Sequence, residues 1–303
     1  EFLAMMHKKY WLGCIPLALI LLLMAACSPT GTGTGTSGGS TFTVAQVLQN
    51  SAKAMQDLKS AHIDMTLTGT AGAADTGTSP QSSATFNVKG SGDEALPDQE
   101  QLQLTTNGTN LAEIVQGNKV YIQNPSGQWY VIDKDALQSN TNIANPFSGI
   151  DVSNISTLLA FAQHAKLTDN GIQSLNGQNL RHITIQLDRE GLKQLLNQDG
   201  QLATIIGKQN VDTIIDSTKD FNSNLDLWID ENQFYLHRTE LKLNVDANLT
   251  ALQTPVATAT ATLPSNVSTK IDSIIDLSKF NDPVTITPPS NAIPTSDPTV
   301  IFK

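Results

Sequence analysis

An α+β fold, one large curled antiparallel β-sheet with helices on its concave face, is what this sequence predicts. Three observations predict it. From residue 62 onward, short runs alternate apolar and polar residues with the period of two that a half-buried strand requires. Tight-turn signals separate those runs, among them Gly117-Asn118, Asn176-Gly177 and Glu231-Asn232. Helical spacing is confined to a few segments, each with a single apolar stripe, so each must lie on something. No repeat of about 20–50 residues recurs, which argues against a solenoid.

The chain is 303 residues long. Residues 1–4 read as upstream of a start at Met5 or Met6. Residues 7–27 follow with a cationic head at His7, Lys8 and Lys9, an apolar run from Tyr10 to Met24, and Ala25-Ala26-Cys27. That is the layout of an export signal, and its end resembles a bacterial lipobox, with Met24 where Leu is usual. A transmembrane anchor needs about 20 apolar residues; this run is shorter and lacks a basic stop. Residues 1–27 are therefore expected to be a signal whose Cys27 is acylated with diacylglycerol. Two acyl chains are about what stable attachment takes.

Residues 28–42 form a Gly/Thr/Ser tether with a span of roughly 20 Å. Its G-x-G-x-x-G at Gly33 to Gly38 has no strand before it and no helix after it, and is read as linker. The folded domain is expected over 43–289 and a loose Pro-rich tail over 290–303.

Residues 43–59 carry Val44, Val47, Leu48, Ser51, Ala52, Met55 and Leu58 on one stripe, with a capping box at Thr43 and Gln46. Strands follow at 62–70, 85–90, 99–105, 111–116, 119–124 and 128–133, with a turn at Asn124-Pro125-Ser126-Gly127. Residues 69–83 read as a long loop, and 135–149 as a polar connection. A helix over 151–166 precedes strands within 167–187; a short helix after Asp188 and another over 202–218 come next. Strands at 224–230, 234–246, 256–262, 267–277 and 284–287 complete the body, the Ala/Thr run 256–262 as an edge. Consecutive strands with short turns make antiparallel meanders the economical topology.

A net charge of −10, one unit more negative once the signal is removed, disfavours nucleic acid and anionic headgroups as partners. Both cysteines, Cys14 and Cys27, belong to the signal, so the exported domain must be stable without a disulfide. His62, His164, His182 and His237 show no ligand spacing, and satisfied or surface histidines are the expectation. Asp212, Asp216 and Asp220 would share one helix face, read as solvated carboxylates beside Lys208 and Lys219. No G-x-S-x-G is present, and no metal or cofactor is expected.

Five pieces of sequence carry a resemblance: Ala54 with Leu58-Lys59-Ser60-Ala61-His62, Gln128-Trp129-Tyr130, Leu175-Asn176-Gly177 with His182 to Ile185, Leu225 to Asp230, and Leu277 to Ile286. In this order behind a lipobox they resemble the LppX/LprG-type lipoproteins of mycobacterial envelopes, which look like the LolA/LolB half-barrel. The resemblance implies a non-enzymatic carrier that is lipid-anchored outside the cytoplasmic membrane. Such a carrier holds acyl chains of envelope lipids or glycolipids between sheet and helices and passes them to a transport partner. The alternative is a structural or interaction lipoprotein of the same fold with a filled core. Alternation alone nominates the lining: Ile63, Met65, Leu67, Phe86, Val88, Leu102, Leu104, Ile183, Ile185, Leu225, Leu227, Leu241 and Leu243. Low aromatic content (5%) would leave those walls aliphatic.

Overall fold

The structure, a computed structural model, describes residues 42–73, 83–139, 165–191, 193, 215–248 and 266–301. The chain enters through helix α1 (Val44–Gln56) and a first meander: β1 (Ser60–Ala73), β2 (Ser83–Ala95), β3 (Gln99–Thr106), β4 (Thr109–Gln116), β5 (Lys119–Gln123) and β6 (Trp129–Asp133). After helix α2 (Lys134–Ser139), a second meander runs through β7 (Lys166–Leu175), β8 (Gln178–Leu187), β9 (Thr218–Ile229), β10 (Leu236–Asn248) and β11 (Asn266–Ser278). A short β12 (Ile293–Pro294) comes last. All twelve belong to one sheet, ordered β12-β6-β5-β4-β3-β2-β1-β11-β10-β9-β8-β7. Every pairing is antiparallel except β12 on β6, so the predicted architecture stands.

Turn chemistry sets the register of the meanders. Asn107-Gly108 and Asn176-Gly177 both have positive φ at each residue, the geometry that matches strand twist in a two-residue hairpin. At residues 124–128 the Asn124 carboxamide oxygen accepts from the Ser126 and Gln128 N–H groups. The long-range pairing of β1 with β11 joins the two meanders. Asn281 locks it, donating its N–H to the Ser60 carbonyl and accepting from the Lys59 N–H at 2.8 Å. Ser60 Oγ donates to the Asp282 carbonyl at 2.6 Å. Two of the sequence pieces behind the resemblance, Lys59-Ser60 and Asn281-Asp282, are thus one clamp.

Three glycines record how the sheet bends. A Cβ on Gly69 would lie 2.3 Å from the Lys270 carbonyl oxygen, and one on Gly92 1.9 Å from that of Gln101. One on Gly90 would lie within 2.9 Å of Met65 and Leu104. All three point to the face that carries the apolar alternation, and crowding on one side is what concave curvature produces. Gly92→Ala forces a backbone carbonyl to move and is expected to cost about 1–3 kcal/mol, read as a lower midpoint in urea unfolding.

α1 lies on this same face. Its capping box forms as expected: Gln46 donates its backbone N–H to Thr43 Oγ1, and Gln46 Oε1 accepts from the Thr43 N–H at 2.9 Å. Val47, Leu48, Ser51, Ala52 and Met55 are buried against Ala61, Ile63, Ile183, Ile185, Leu225, Leu227, Ile229, Leu236 and Leu277. Among the described residues Ser51 Oγ has no hydrogen-bond partner. A buried unpaired hydroxyl is costly, so Ser51→Ala is expected to raise stability by about 1 kcal/mol, measured as an upward shift in thermal midpoint.

Several expectations are corrected. β1 and β2 extend into the segment read as a loop, to Ala73 and from Ser83. Residues 134–139, at the start of the polar connection, are helical. No strand forms at 284–287, where prolines at 283, 288 and 289 withhold ladder donors. Thr218 and Asp220 stand in β9, so the proposed helix face of Asp212, Asp216 and Asp220 does not exist. The Pro-rich end is not loose: Ile293 and Pro294 pair with Tyr130 and Val131, and Pro298 and Ile301 are fully buried. The signal, tether and strand 256–262, and most of the helices expected at 151–166, after Asp188 and at 202–218, lie outside the described residues.

Candidate functional site

Directly opposed residues of an antiparallel pair share a face, so the registers show which side chains the sheet gathers. One row reads Leu104–Gly90–Met65–Ile275–Thr239–Leu227–Ile183. The next reads Val88–Leu67–Ser273–Leu241–Leu225–Ile185, and beyond it lies Phe86–Gly69–Ile271–Leu243–Ser223–Leu187. On the other side of the first is Leu102–Gly92–Ile63–Leu277. All thirteen residues nominated by alternation therefore lie on one face, across β3, β2, β1, β10, β9 and β8, with β11 inside the array.

Two packed clusters cover parts of this face. Ile63, Ile183, Ile185, Leu225 and Leu227 belong to the α1 cluster, and Leu241 and Ile275 pack on its margin. The second cluster joins Val115, Val120, Ile122 and Ile132 to Ile301 of the C-terminal segment. Leu67 is buried outside both. Met65, Phe86, Val88, Leu102, Leu104 and Leu243, with Ile271, belong to neither and are half-buried. They form a continuous aliphatic and aromatic surface beside α1, floored by Gly69, Gly90 and Gly92.

Ile271, Ile275 and Leu277 were not nominated, because the run Ile274-Ile275 breaks the alternation that would have revealed them. Glu113 was also missed. Opposed to Leu102 and Ile122, it places a carboxyl on the same face. Burial pushes that carboxyl above its ordinary range, and the attraction of Lys134 only partly offsets the rise.

Polar groups at the margins are committed to structure. Arg181 is 8% exposed and binds Asp169 and Glu231. A bulge between Asp169 and Ile172, with Gly171 at φ 74°, brings Asp169 onto it. On the opposite face, His62 meets Asp93 at 2.6 Å, and His182 stacks on Trp228 while its Nε2 lies 2.9 Å from Asp226. His237 contacts Asp230 at 3.5 Å; His164 lies outside the described residues. No group of three metal-ligating side chains occurs among the described residues.

No family model matches the chain, and no curated protein sequence matches it. Among solved structures it is similar to the lipoprotein LppX of Mycobacterium tuberculosis, at 14% identity over 81% of this chain and 100% of that one, with a TM-score of 0.36. LprF of Mycobacterium bovis aligns at 17% identity over 80% of this chain and 95% of that one, with a TM-score of 0.38. A LolA-superfamily protein of Nitrosomonas europaea aligns at 11% identity over 81% and 96%, with a TM-score of 0.25.

Proposed function

We propose that the half-buried apolar surface on the concave face binds the acyl chain of an envelope lipid or glycolipid. The protein then acts as a lipid-anchored carrier without chemistry of its own. The observation that supports this most directly is the set Met65, Phe86, Val88, Leu102, Leu104, Leu243 and Ile271. Seven large apolar side chains share one face, and neither packed cluster claims them. Enclosing about ten methylenes there recovers roughly 8 kcal/mol before ordering costs, enough for binding after those costs are subtracted.

The lining residues fall into two groups under this reading. Ile63, Ile183, Ile185, Leu225 and Leu227, with Leu241 at their margin, pack with α1 and hold the sheet to its cover, and Leu67 is buried between them and the ligand surface. The half-buried set meets the ligand. Met65→Asp and Leu104→Asp are expected to weaken uptake of an uncharged apolar dye at least tenfold, since each puts a charge in the path of a hydrocarbon. Dye affinity unchanged in both variants overturns the reading. Anchoring through Cys27 is tested separately: Cys27→Ser should abolish incorporation of labelled lipid into the precursor, and equal labelling of both forms rules it out.

A further inference from the structure

We propose that Glu113 makes the acyl site selective for lipids whose head group donates hydrogen bonds and is uncharged, such as acylglycerols or the sugar hydroxyls of glycolipids. This rests on the acyl-binding reading above. Glu113 is the one charged residue of β4, and its placement is not that of a solvated face. The outward residues flanking it, Ala112 and Ile114, are 1% and 6% exposed, so both faces of the strand are apolar. The registers, not the apolar flanks, set Glu113 on the inward face, opposed to Leu102 of the proposed lining and Ile122 of the C-terminal cluster. Among the described residues no hydrogen bond is made to its carboxyl.

The position suits a head group lying at the end of an acyl chain that runs over Met65, Leu102 and Leu104. A hydroxyl there donates to the carboxyl, which is drawn to Lys134 but accepts no hydrogen bond among the described residues. A carboxylate or phosphate there would lie against the Glu113 carboxyl in the same apolar surroundings, where two like charges disfavour each other. Two other charged residues share this face nearby. Lys134 is 8% exposed and Glu100 9% exposed, both too enclosed to offer a ligand a free charge.

The test uses the chain from Ser28 onward, which contains every described residue, and competes two ligands with the same acyl chain, palmitic acid and monopalmitoylglycerol, against the uncharged dye N-phenyl-1-naphthylamine at pH 8. Wild type should favour the glyceride about tenfold. Glu113→Leu should bring the two affinities within about twofold of each other while dye binding stays intact. Glu113→Gln, which keeps an acceptor without the charge, should improve palmitate alone. Equal affinities in wild type, or a preference that survives Glu113→Leu, overturns the selectivity and leaves the acyl site standing. Failure of both ligands to displace bound dye overturns the acyl site and the selectivity with it.

Discussion

Ile301→Asp is expected to destabilise the protein by about 4 kcal/mol or more and to release the C-terminal segment from the sheet. Ile301 is fully buried against Val115, Val120, Ile122 and Ile132. A carboxylate there loses the transfer energy of the isoleucine, about 1.5–3 kcal/mol, and adds the cost of a buried, unpaired charge. Besides Ile301 the segment is held by the buried Pro298 and by the Thr295 N–H, which donates to the Val131 carbonyl at 2.9 Å. β12 contributes two residues to the ladder, and Ile293 is 47% exposed. A capping turn orients the rest: Asp297 Oδ1 accepts from the Thr299 N–H at 2.9 Å before the 3₁₀ turn Pro298–Val300. Urea unfolding measures the loss, and limited proteolysis should cut between residues 289 and 300 in the variant. An unchanged midpoint would show that the segment contributes nothing to the core.

Asp230→Ala is expected to cost about 2–4 kcal/mol through the β9–β10 connection. The Asp230 carboxylate accepts backbone N–H groups from Asn232 (2.9 Å), Gln233 (2.6 Å) and Tyr235 (2.9 Å), which closes a loop containing Phe234 at φ 61°. That loop sets Phe234 edge-on to Phe42, with ring centroids 5.2 Å apart, just ahead of α1. Hydrogen bonds to a charged acceptor contribute about 1.5–3 kcal/mol each, and they are not additive. Burial alone would raise the Asp230 carboxyl, but the bonds from His237, Gln233, Tyr235 and Asn232 outweigh it and hold the group below the ordinary value of 3.8. Because the folded carboxyl is the more acidic, its contribution is whole above about pH 4 and disappears as pH falls through the folded value. Wild type and Asp230→Ala should therefore differ most near neutrality and converge in strong acid. A constant difference down to pH 2 would contradict this.

Local chemistry made most of the sheet legible. The Thr43 capping box, the Asn176-Gly177 turn and the alternation in β1, β8 and β9 all act over a few residues, and all occur as read. What alternation could not supply was contact between distant segments. The burial of Ile301 depends on a partner surface some 170 residues earlier in the chain, at Val120, Ile122 and Ile132, and nothing in a Pro-rich stretch signals a docking site. Glu113 escaped notice for a related reason: with apolar residues on both faces of β4, period two does not say which way the strand points. The glycines at 69, 90 and 92 look like strand weakeners in sequence. Only the registers reveal that each faces the crowded side of a bend.

Purified from cells as the chain from Ser28 onward, without detergent, the protein should carry lipid. Extraction into organic solvent followed by mass spectrometry is expected to recover acyl-bearing species at roughly one per chain, reduced severalfold in a Met65→Asp, Leu104→Asp double variant of equal stability. Lipid-free protein that also fails to take up a fluorescent fatty acid would contradict acyl binding on the concave face.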